Sequence, residues 1–152
     1  MIDIQELKNI PLLDSLAESE LAALADTARE REFHAGSQIF REGSRDNSLF
    51  LILAGNVRIS KMTASGEEKP MAVLGKGEFF GEMALFDDYF RSATATAIDP
   101  VRTMQLSKEN FLSLLVNSAA GASKLLLKIM QTLAPRIRQT NLELVSLYET
   151  GR

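Results

Sequence analysis

The chain has 152 residues, of which 45% are hydrophobic and 24% charged, a balance typical of one globular domain with a sizeable core. Its formal net charge of −3 argues against a chain whose main task is to grip nucleic acid, because neutralising phosphates needs a basic face. The absence of cysteine excludes disulfides, zinc–thiolate sites and iron–sulfur clusters, and the acidic N-terminus without a long apolar run predicts a cytoplasmic chain with no membrane span.

The N-terminal part, about residues 4–30, is predicted to be helical because its apolar residues recur at helical spacing. Pro11 should separate a short first helix from a longer second one. Two serines are suited to cap the second helix, Ser15 and Ser19, and the sequence does not decide between them.

The middle of the chain, about residues 32–106, predicts short strands. Glycines separate the apolar runs "QIF", "LFLIL", "NVRIS", "MAVL", "TATAI" and "VRTMQL", a pattern typical of an antiparallel sandwich or barrel. The run at 49–53 is continuous rather than alternating, so we expect a central strand covered on both faces. The polar stretch at 63–68 is predicted to be a hairpin loop.

Helices are predicted to return after the strands, over about residues 107–149. Ser107 is a candidate N-cap, and Gly121 is expected to separate a short helix from a long one over about 122–149. Pro135 lies inside the long helix and should kink it.

The long helix carries a heptad seam with spacings of 4 and 3, formed by Leu126, Met130, Leu133, Ile137, Thr140, Leu144 and Leu147. The seam is longer than a small sheet can cover, so it favours a homodimer through residues 122–149. The alternative is that this apolar stripe packs on the chain's own sheet.

The residue types needed for catalysis are scarce. His34 is the only histidine, which argues against a metal-dependent β-roll enzyme and against a serine hydrolase. Neither a G-x-S-x-G motif nor a phosphate-binding P-loop occurs. We therefore expect no enzymatic activity, no cofactor and no metal.

The stretch "FFGEMALFDDYFRSATATA", residues 79–97, has the chemistry of an anion site. Arg91 offers a planar fork of donors for phosphate oxygens, and "GEMALF" can form one helical turn with free N–H groups, including that of Ala84. Glu82 is an acceptor suited to a ribose hydroxyl, and it is expected to pair with Arg91 when the site is empty. The alternative is a surface Glu–Arg pair beside a loop.

This pattern resembles the phosphate-binding cassette of the cyclic nucleotide-binding domain family. The residues that match in register are Phe80, Gly81, Glu82, Ala84, Leu85, Arg91, Ser92, Ala93 and Ala97. Upstream, "IFREGSRDNSLFLILAG" is similar to a second signature of the family, with Phe40 and Asp46 looser than its usual choices. The resemblance covers nearly the whole chain as a single domain, residues 1–152.

The resemblance implies an α+β fold, an antiparallel β-roll of about eight strands flanked by helices, and a role in sensing a ligand. Glu82 would bind the ribose 2′-hydroxyl and Arg91 the exocyclic phosphate oxygens. Gly81, Ala84 and Ser92 would donate hydrogen bonds to the ligand. The same segment supplies the remaining candidate binding residues, Phe80, Met83 and Ala93. The expected ligand is cyclic AMP, with cyclic GMP as the alternative.

The long C-terminal helix resembles that of the bacterial catabolite activator branch, in which this helix dimerises and two polar residues meet the purine. Here these residues are Thr140 and Asn141. Alternatively, the Thr140 hydroxyl bonds to its own helix. Transcription factors of this branch continue into a DNA-binding domain, whereas this chain stops at Arg152.

We therefore expect a stand-alone sensor that acts on an effector protein and does not itself bind nucleic acid. Two alternatives stay open. One is a domain of the same fold that binds no nucleotide and serves as an interaction module. The other is the sensor half of a longer regulator.

Overall fold

The computed structural model describes residues 2–150, in which helices flank eight strands. The helices are α1 (Ile4–Lys8), α2 (Glu18–Thr27), α3 (Lys108–Asn117) and α4 (Ala119–Thr150), with 3₁₀ turns at Pro11–Leu13 and Glu82–Leu85. The strands are β1 (Arg29–Phe33), β2 (Gln38–Phe40), β3 (Ser48–Ala54), β4 (Val57–Met62), β5 (Glu68–Leu74), β6 (Phe79–Phe80), β7 (Thr94–Ala97) and β8 (Val101–Ser107).

The strands form two four-stranded antiparallel sheets, the first with the order β1-β8-β3-β6 and the second with the order β2-β7-β4-β5. This arrangement confirms the predicted α+β fold with an antiparallel β-roll. All six apolar runs are strands, and the predicted hairpin loop joins β4 to β5. The prediction placed helix up to residue 30, but α2 ends at Thr27 and β1 begins at Arg29.

The continuous apolar run of β3 lies between β8 and β6, buried on both faces as predicted. Side chains alternate across a strand, so Leu49, Leu51 and Leu53 pack with the helices while Phe50 and Ile52 pack between the sheets. One strand thus supplies both hydrophobic clusters of the domain.

The start of α2 differs from the prediction, because neither Ser15 nor Ser19 caps it. Ala17 is the N-cap residue, and the side chain of Glu20 reaches back to accept a hydrogen bond from its backbone N–H at 2.7 Å. A glutamate at the third helical position thus accepts from the backbone N–H of the N-cap residue, and no serine is needed as a cap. Ser107 does cap α3, where its hydroxyl accepts from the N–H of Asn110 at 3.1 Å.

Gly121 does not separate the last two helices; it lies inside α4, which begins at Ala119. A Cβ atom at this position would lie only 3.1 Å from the Cβ of Glu20 in α2. The glycine therefore allows two helices to approach closely, which a reading of glycine as a helix breaker cannot foresee.

The long helix α4 divides into a packed half and an exposed half. Ala122, Leu125 and Ile129 are buried in the core between the helices and the first sheet, and the seam residues Leu126 and Leu133 pack against it. The later seam residues Ile137, Leu144 and Leu147 are 56–66% exposed. Leu126 and Leu133 of the first half of the seam thus pack within the chain, whereas Met130 between them is 58% exposed. Among residues 2–150, no helix is long and apolar enough to cross a membrane.

Candidate functional site

A cavity of about 760 Å³ opens between the second sheet, the 3₁₀ turn after β6 and the beginning of the exposed half of α4. Most of residues 78–93 line it, together with Phe40, Ile59 and part of β5. The α4 side is formed by Arg136, Gln139, Thr140 and Glu143. Eight candidate residues of the stretch 80–93 therefore meet at one cavity, namely Phe80, Gly81, Glu82, Met83, Ala84, Arg91, Ser92 and Ala93.

Gly81 makes the entry to the 3₁₀ turn possible. Its φ of 76° is a left-handed conformation that L side chains rarely adopt. A Cβ atom there would lie 2.7 Å from Nη1 of Arg91 and 2.9 Å from the carbonyl oxygen of Ser48. Only glycine therefore fits between the turn and the arginine.

The turn Glu82–Leu85 confirms the predicted single helical turn, although one of its N–H groups is not free. The N–H of Ala84, which is predicted to reach a ligand past a small side chain, donates to the carbonyl oxygen of Gly81 at 3.3 Å. Ala84 is buried, Glu82 is half-buried and Met83 is exposed.

Arg91 lies behind the turn and is only 6% exposed. Its Nη1 donates to the carbonyl oxygen of Gly81 at 2.9 Å, and its Nη2 donates to Oδ2 of Asp46 at 2.7 Å and to the carbonyl oxygen of Ser48 at 2.6 Å. The guanidinium also lies 3.9 Å from the centre of the Phe40 ring. These contacts stabilise a buried charge that would otherwise be strongly unfavourable.

The expected pair between Glu82 and Arg91 is wrong, because Asp46 is the acid that Arg91 contacts. Two backbone hydrogen bonds hold Arg91 beside the segment that precedes Asp46. The N–H of Arg91 donates to the carbonyl oxygen of Ser44 at 2.9 Å, and the N–H of Gly43 donates to the carbonyl oxygen of Arg91 at 2.8 Å. Asp46 is 45 positions from Arg91 in sequence. Residues this far apart in sequence are linked by no local motif, so the ion pair between Arg91 and Asp46 could not be predicted from the sequence.

Two N–H donors of the Arg91 guanidinium have no hydrogen-bond partner among the described residues. Its Nε is buried and has no hydrogen-bond partner among the described residues. A guanidinium has five N–H donors, and the three contacts above leave the Nε–H and one N–H on Nη1. Arg91 lines the cavity, so these two N–H groups are its candidate donors to an anion there.

Of the two residues predicted to contact the purine, one lines the cavity on its α4 side and the other does not. Thr140 lines the cavity, and its hydroxyl donates to the carbonyl oxygen of Arg136 at 2.9 Å, which is the alternative predicted for it. Asn141 is exposed and is not among the cavity-lining residues.

Three further residues of α4 line the cavity and were not predicted. The Arg136 guanidinium lies 5.4 Å from the centre of the Phe79 ring. Nε2 of Gln139 donates to Oε1 of Glu143 at 3.2 Å. These residues stand at positions −4, −1 and +3 from Thr140, so the helical periodicity alone could have placed Arg136 and Glu143 on its face.

The charges around the cavity are mixed. The carboxylates are those of Glu78, Glu82, Asp87 and Glu143, and the guanidinium groups are those of Arg91 and Arg136. The aromatic wall includes Tyr89 and Phe90, with Arg45 lying 4.7 Å from the Phe90 ring centre. Within residues 2–150, no group of three or more histidine, aspartate or glutamate side chains is arranged to hold a metal ion.

The chain is similar in sequence to known proteins. Residues 30–118 match the family model described as the cyclic nucleotide-binding domain. The cyclic AMP receptor protein of Thermus thermophilus is 34% identical over 138 residues, which are 91% of this chain and 62% of that protein. The cGMP-dependent protein kinase isozyme 1 of Drosophila melanogaster is 39% identical over 108 residues, covering 69% of this chain and 14% of the kinase.

The fold comparison agrees with the sequence comparison. The crystal structure of the Thermus thermophilus catabolite activator protein superposes with a TM-score of 0.82 and 33% identity, covering 91% of this chain and 63% of that one. The chain thus spans less than two thirds of the length of these bacterial relatives. The match over residues 30–118, together with the 34% identity to the Thermus thermophilus protein, shows that the chain belongs to the cyclic nucleotide-binding domain family.

Proposed function

We infer that this regulatory domain senses cyclic AMP, in preference to cyclic GMP, and that it has no catalytic activity. The observation that carries the proposal is Arg91, a buried guanidinium that lines the cavity and has two N–H donors to spare. A phosphodiester anion has the charge and the acceptor oxygens that such donors match.

The proposed phosphate contacts come from both sides of the Gly81 turn. Arg91 donates to the exocyclic oxygens, while Gly81, Ala84 and Ser92 supply further donors. Ala84 must then exchange or share its 3.3 Å bond to the Gly81 carbonyl, and a bond of that length is weak enough to be replaced. Phe80, Met83 and Ala93 complete the walls.

The ribose and the purine occupy the rest of the cavity in this proposal. Glu82 accepts a hydrogen bond from the ribose 2′-hydroxyl. Thr140 faces the adenine amino group, which requires its hydroxyl to accept while it donates to Arg136. Asn141 would join this contact only in an assembly that brings it to the cavity, because it does not line the cavity of a single chain.

We also propose that two copies pair through residues 122–149 and that α4 passes the signal to an effector protein in the cytoplasm, without nucleic-acid binding by this chain. The exposed seam residues Ile137, Leu144 and Leu147 support the pairing, because burial of these side chains against a second copy removes apolar surface from water. The name of the Thermus relative supports cyclic AMP as the ligand, and that of the Drosophila kinase keeps cyclic GMP as the competitor.

Calorimetric titration of the protein with cyclic AMP and with cyclic GMP tests this function. We expect saturable binding of both at one site per chain, with cyclic AMP about tenfold or more tighter, the value of one mismatched buried hydrogen bond. Tighter binding of cyclic GMP would overturn the ligand assignment. No binding of either would overturn the sensing function.

A second candidate is a nucleotide-independent interaction module, and the contacts of Arg91 favour it. The guanidinium is already compensated by Asp46 and two carbonyl oxygens, so the fold does not need a phosphate to stabilise this charge. A protein that binds neither nucleotide yet dimerises through α4 would support this candidate.

A further inference from the structure

Three residues that do not line the cavity form hydrogen bonds that fix the chain at residues 92–94, part of which lines it. Glu42 follows β2, Lys61 lies near the end of β4, and Thr94 begins β7. Nζ of Lys61 donates to the carbonyl oxygen of Ser92 at 2.7 Å and to Oε2 of Glu42 at 3.2 Å. The backbone N–H of Glu42 donates to the hydroxyl of Thr94 at 2.9 Å. The chain at 92–94 is therefore fixed at both ends.

The ion pair of Lys61 and Glu42 is itself oriented. Oε1 of Glu42 accepts from the backbone N–H of Met62 at 3.0 Å, and this N–H together with the Lys61 ammonium holds the pKa of the Glu42 carboxyl below its ordinary value. The two side chains are 50% and 27% exposed, and ion pairs at such positions contribute little to the free energy of unfolding. Since the ion pair contributes little to stability, the role of Lys61 is better sought in its hydrogen bond to the Ser92 carbonyl oxygen.

The Ser92 carbonyl fixes the direction of the next N–H group. The described peptide bonds are all trans, and the C=O and N–H of one trans peptide point in opposite directions. Since the carbonyl of Ser92 points at Lys61, the N–H of Ala93 points away from it. Ala93 lines the cavity, and no backbone acceptor among residues 2–150 takes its N–H.

We propose that Lys61, held by Glu42, is a positioning residue that aims the Ala93 N–H at the ligand phosphate beside Arg91. This inference rests on the proposed function. The ammonium draws electron density from the carbonyl, which makes the N–H of the same peptide a stronger donor. Lys61 thus strengthens phosphate binding without touching the ligand.

The test is a calorimetric titration with cyclic AMP of the wild type, Lys61→Met, Lys61→Arg and Lys69→Met. Lys69 is the matched control, because it pairs with Lys61 in the β4–β5 ladder and forms an exposed ion pair with Glu67 at 3.1 Å. We expect Lys61→Met to weaken binding about tenfold, the value of one charge-assisted hydrogen bond. Lys61→Arg, which keeps the cationic donor, should recover most of the affinity. Lys69→Met should stay within about twofold of the wild type.

Each outcome separates the two proposals. If Lys61→Met binds cyclic AMP as tightly as the wild type, the positioning role is wrong and nucleotide sensing is unaffected. The same conclusion follows if Lys61→Arg or Lys69→Met loses as much affinity as Lys61→Met. A wild type that binds neither cyclic AMP nor cyclic GMP would overturn both. If Lys61→Met does not fold, Glu42→Gln takes its place, since it keeps the acceptor for Met62 but loses the charge that holds Lys61; we expect a loss of about threefold or more, and wild-type affinity would refute the role.

Discussion

At the scale of single residues, the site depends on contacts that no short motif contains. Arg91 is the residue that the sequence predicts most directly, yet its partner is Asp46 rather than Glu82. The Glu82 carboxylate is therefore not paired with Arg91. A carboxylate that lines the cavity and is not committed to the arginine is suited to accept from a sugar hydroxyl.

Glu82→Ala should therefore weaken binding of cyclic AMP by about tenfold, because one hydrogen bond to a charged acceptor is lost. The same substitution should leave the affinity for 2′-deoxy cyclic AMP nearly unchanged, because that ligand lacks the hydroxyl. Titrating both ligands into both proteins measures the difference. Equal losses for the two ligands would remove Glu82 from the ribose.

Gly81→Ala should destabilise the domain and also weaken ligand binding. The new Cβ atom would lie 2.7 Å from Nη1 of Arg91 and 2.9 Å from the Ser48 carbonyl oxygen. The matched control is Gly66→Ala in the hairpin loop, where φ is also positive at 84° but a Cβ atom meets nothing within 4 Å. Thermal unfolding should show a loss of about 1 kcal/mol for the control, from backbone strain alone, and a clearly larger loss for Gly81→Ala. Equal losses would mean that the Gly81 turn tolerates a side chain.

At the scale of elements, helices and strands determined by a local sequence pattern were predictable, and those determined by tertiary contacts were not. The strands β3, β7 and β8 were predictable, since burial dictates their apolar patterns, whereas the apolar run of β5 is mostly exposed. β1, with the sequence "REREF", was not, because its charged side chains conceal the alternation. The two-residue β6 is too short to carry a pattern. The position of Gly121 depends on contact with α2, which is tertiary information.

The two halves of α4 lead to a refined prediction on dimerisation. Leu133 packs against the core of its own chain, so charging it would test folding as much as association. Ile137 and Leu144 are 61% and 56% exposed and lie on the seam. The double variant Ile137→Glu and Leu144→Glu should be monomeric by light scattering, because burying two carboxylates in an apolar seam is strongly unfavourable.

Leu142 supplies the control for this experiment, because it is 65% exposed but lies outside the seam. Leu142→Glu should dimerise like the wild type. A wild type that is already monomeric at high micromolar concentration would contradict the proposal that α4 pairs two copies.

At the scale of the whole molecule, the fold brings two distant parts of the chain to one cavity. The segment around residues 80–93 was identifiable from its residue types and spacing. The α4 side was only partly identifiable, since Arg136, Gln139 and Glu143 become cavity walls through the path that the helix takes across the sheet. The residues that a local motif holds together were predictable from the sequence, whereas the pairing of Asp46 with Arg91, which only packing brings about, was not.

The measurement that tests the central claim most directly compares the wild type and Arg91→Gln in calorimetric titrations with cyclic AMP. Glutamine can still donate to the carbonyl oxygens around position 91 but has no charge for a phosphate, so the variant separates folding from binding. We expect saturable binding by the wild type and a loss of about 2–5 kcal/mol in the variant, while its far-ultraviolet circular dichroism stays native. Equal affinity of the two folded proteins would contradict the claim that this cavity is a cyclic nucleotide site built around Arg91.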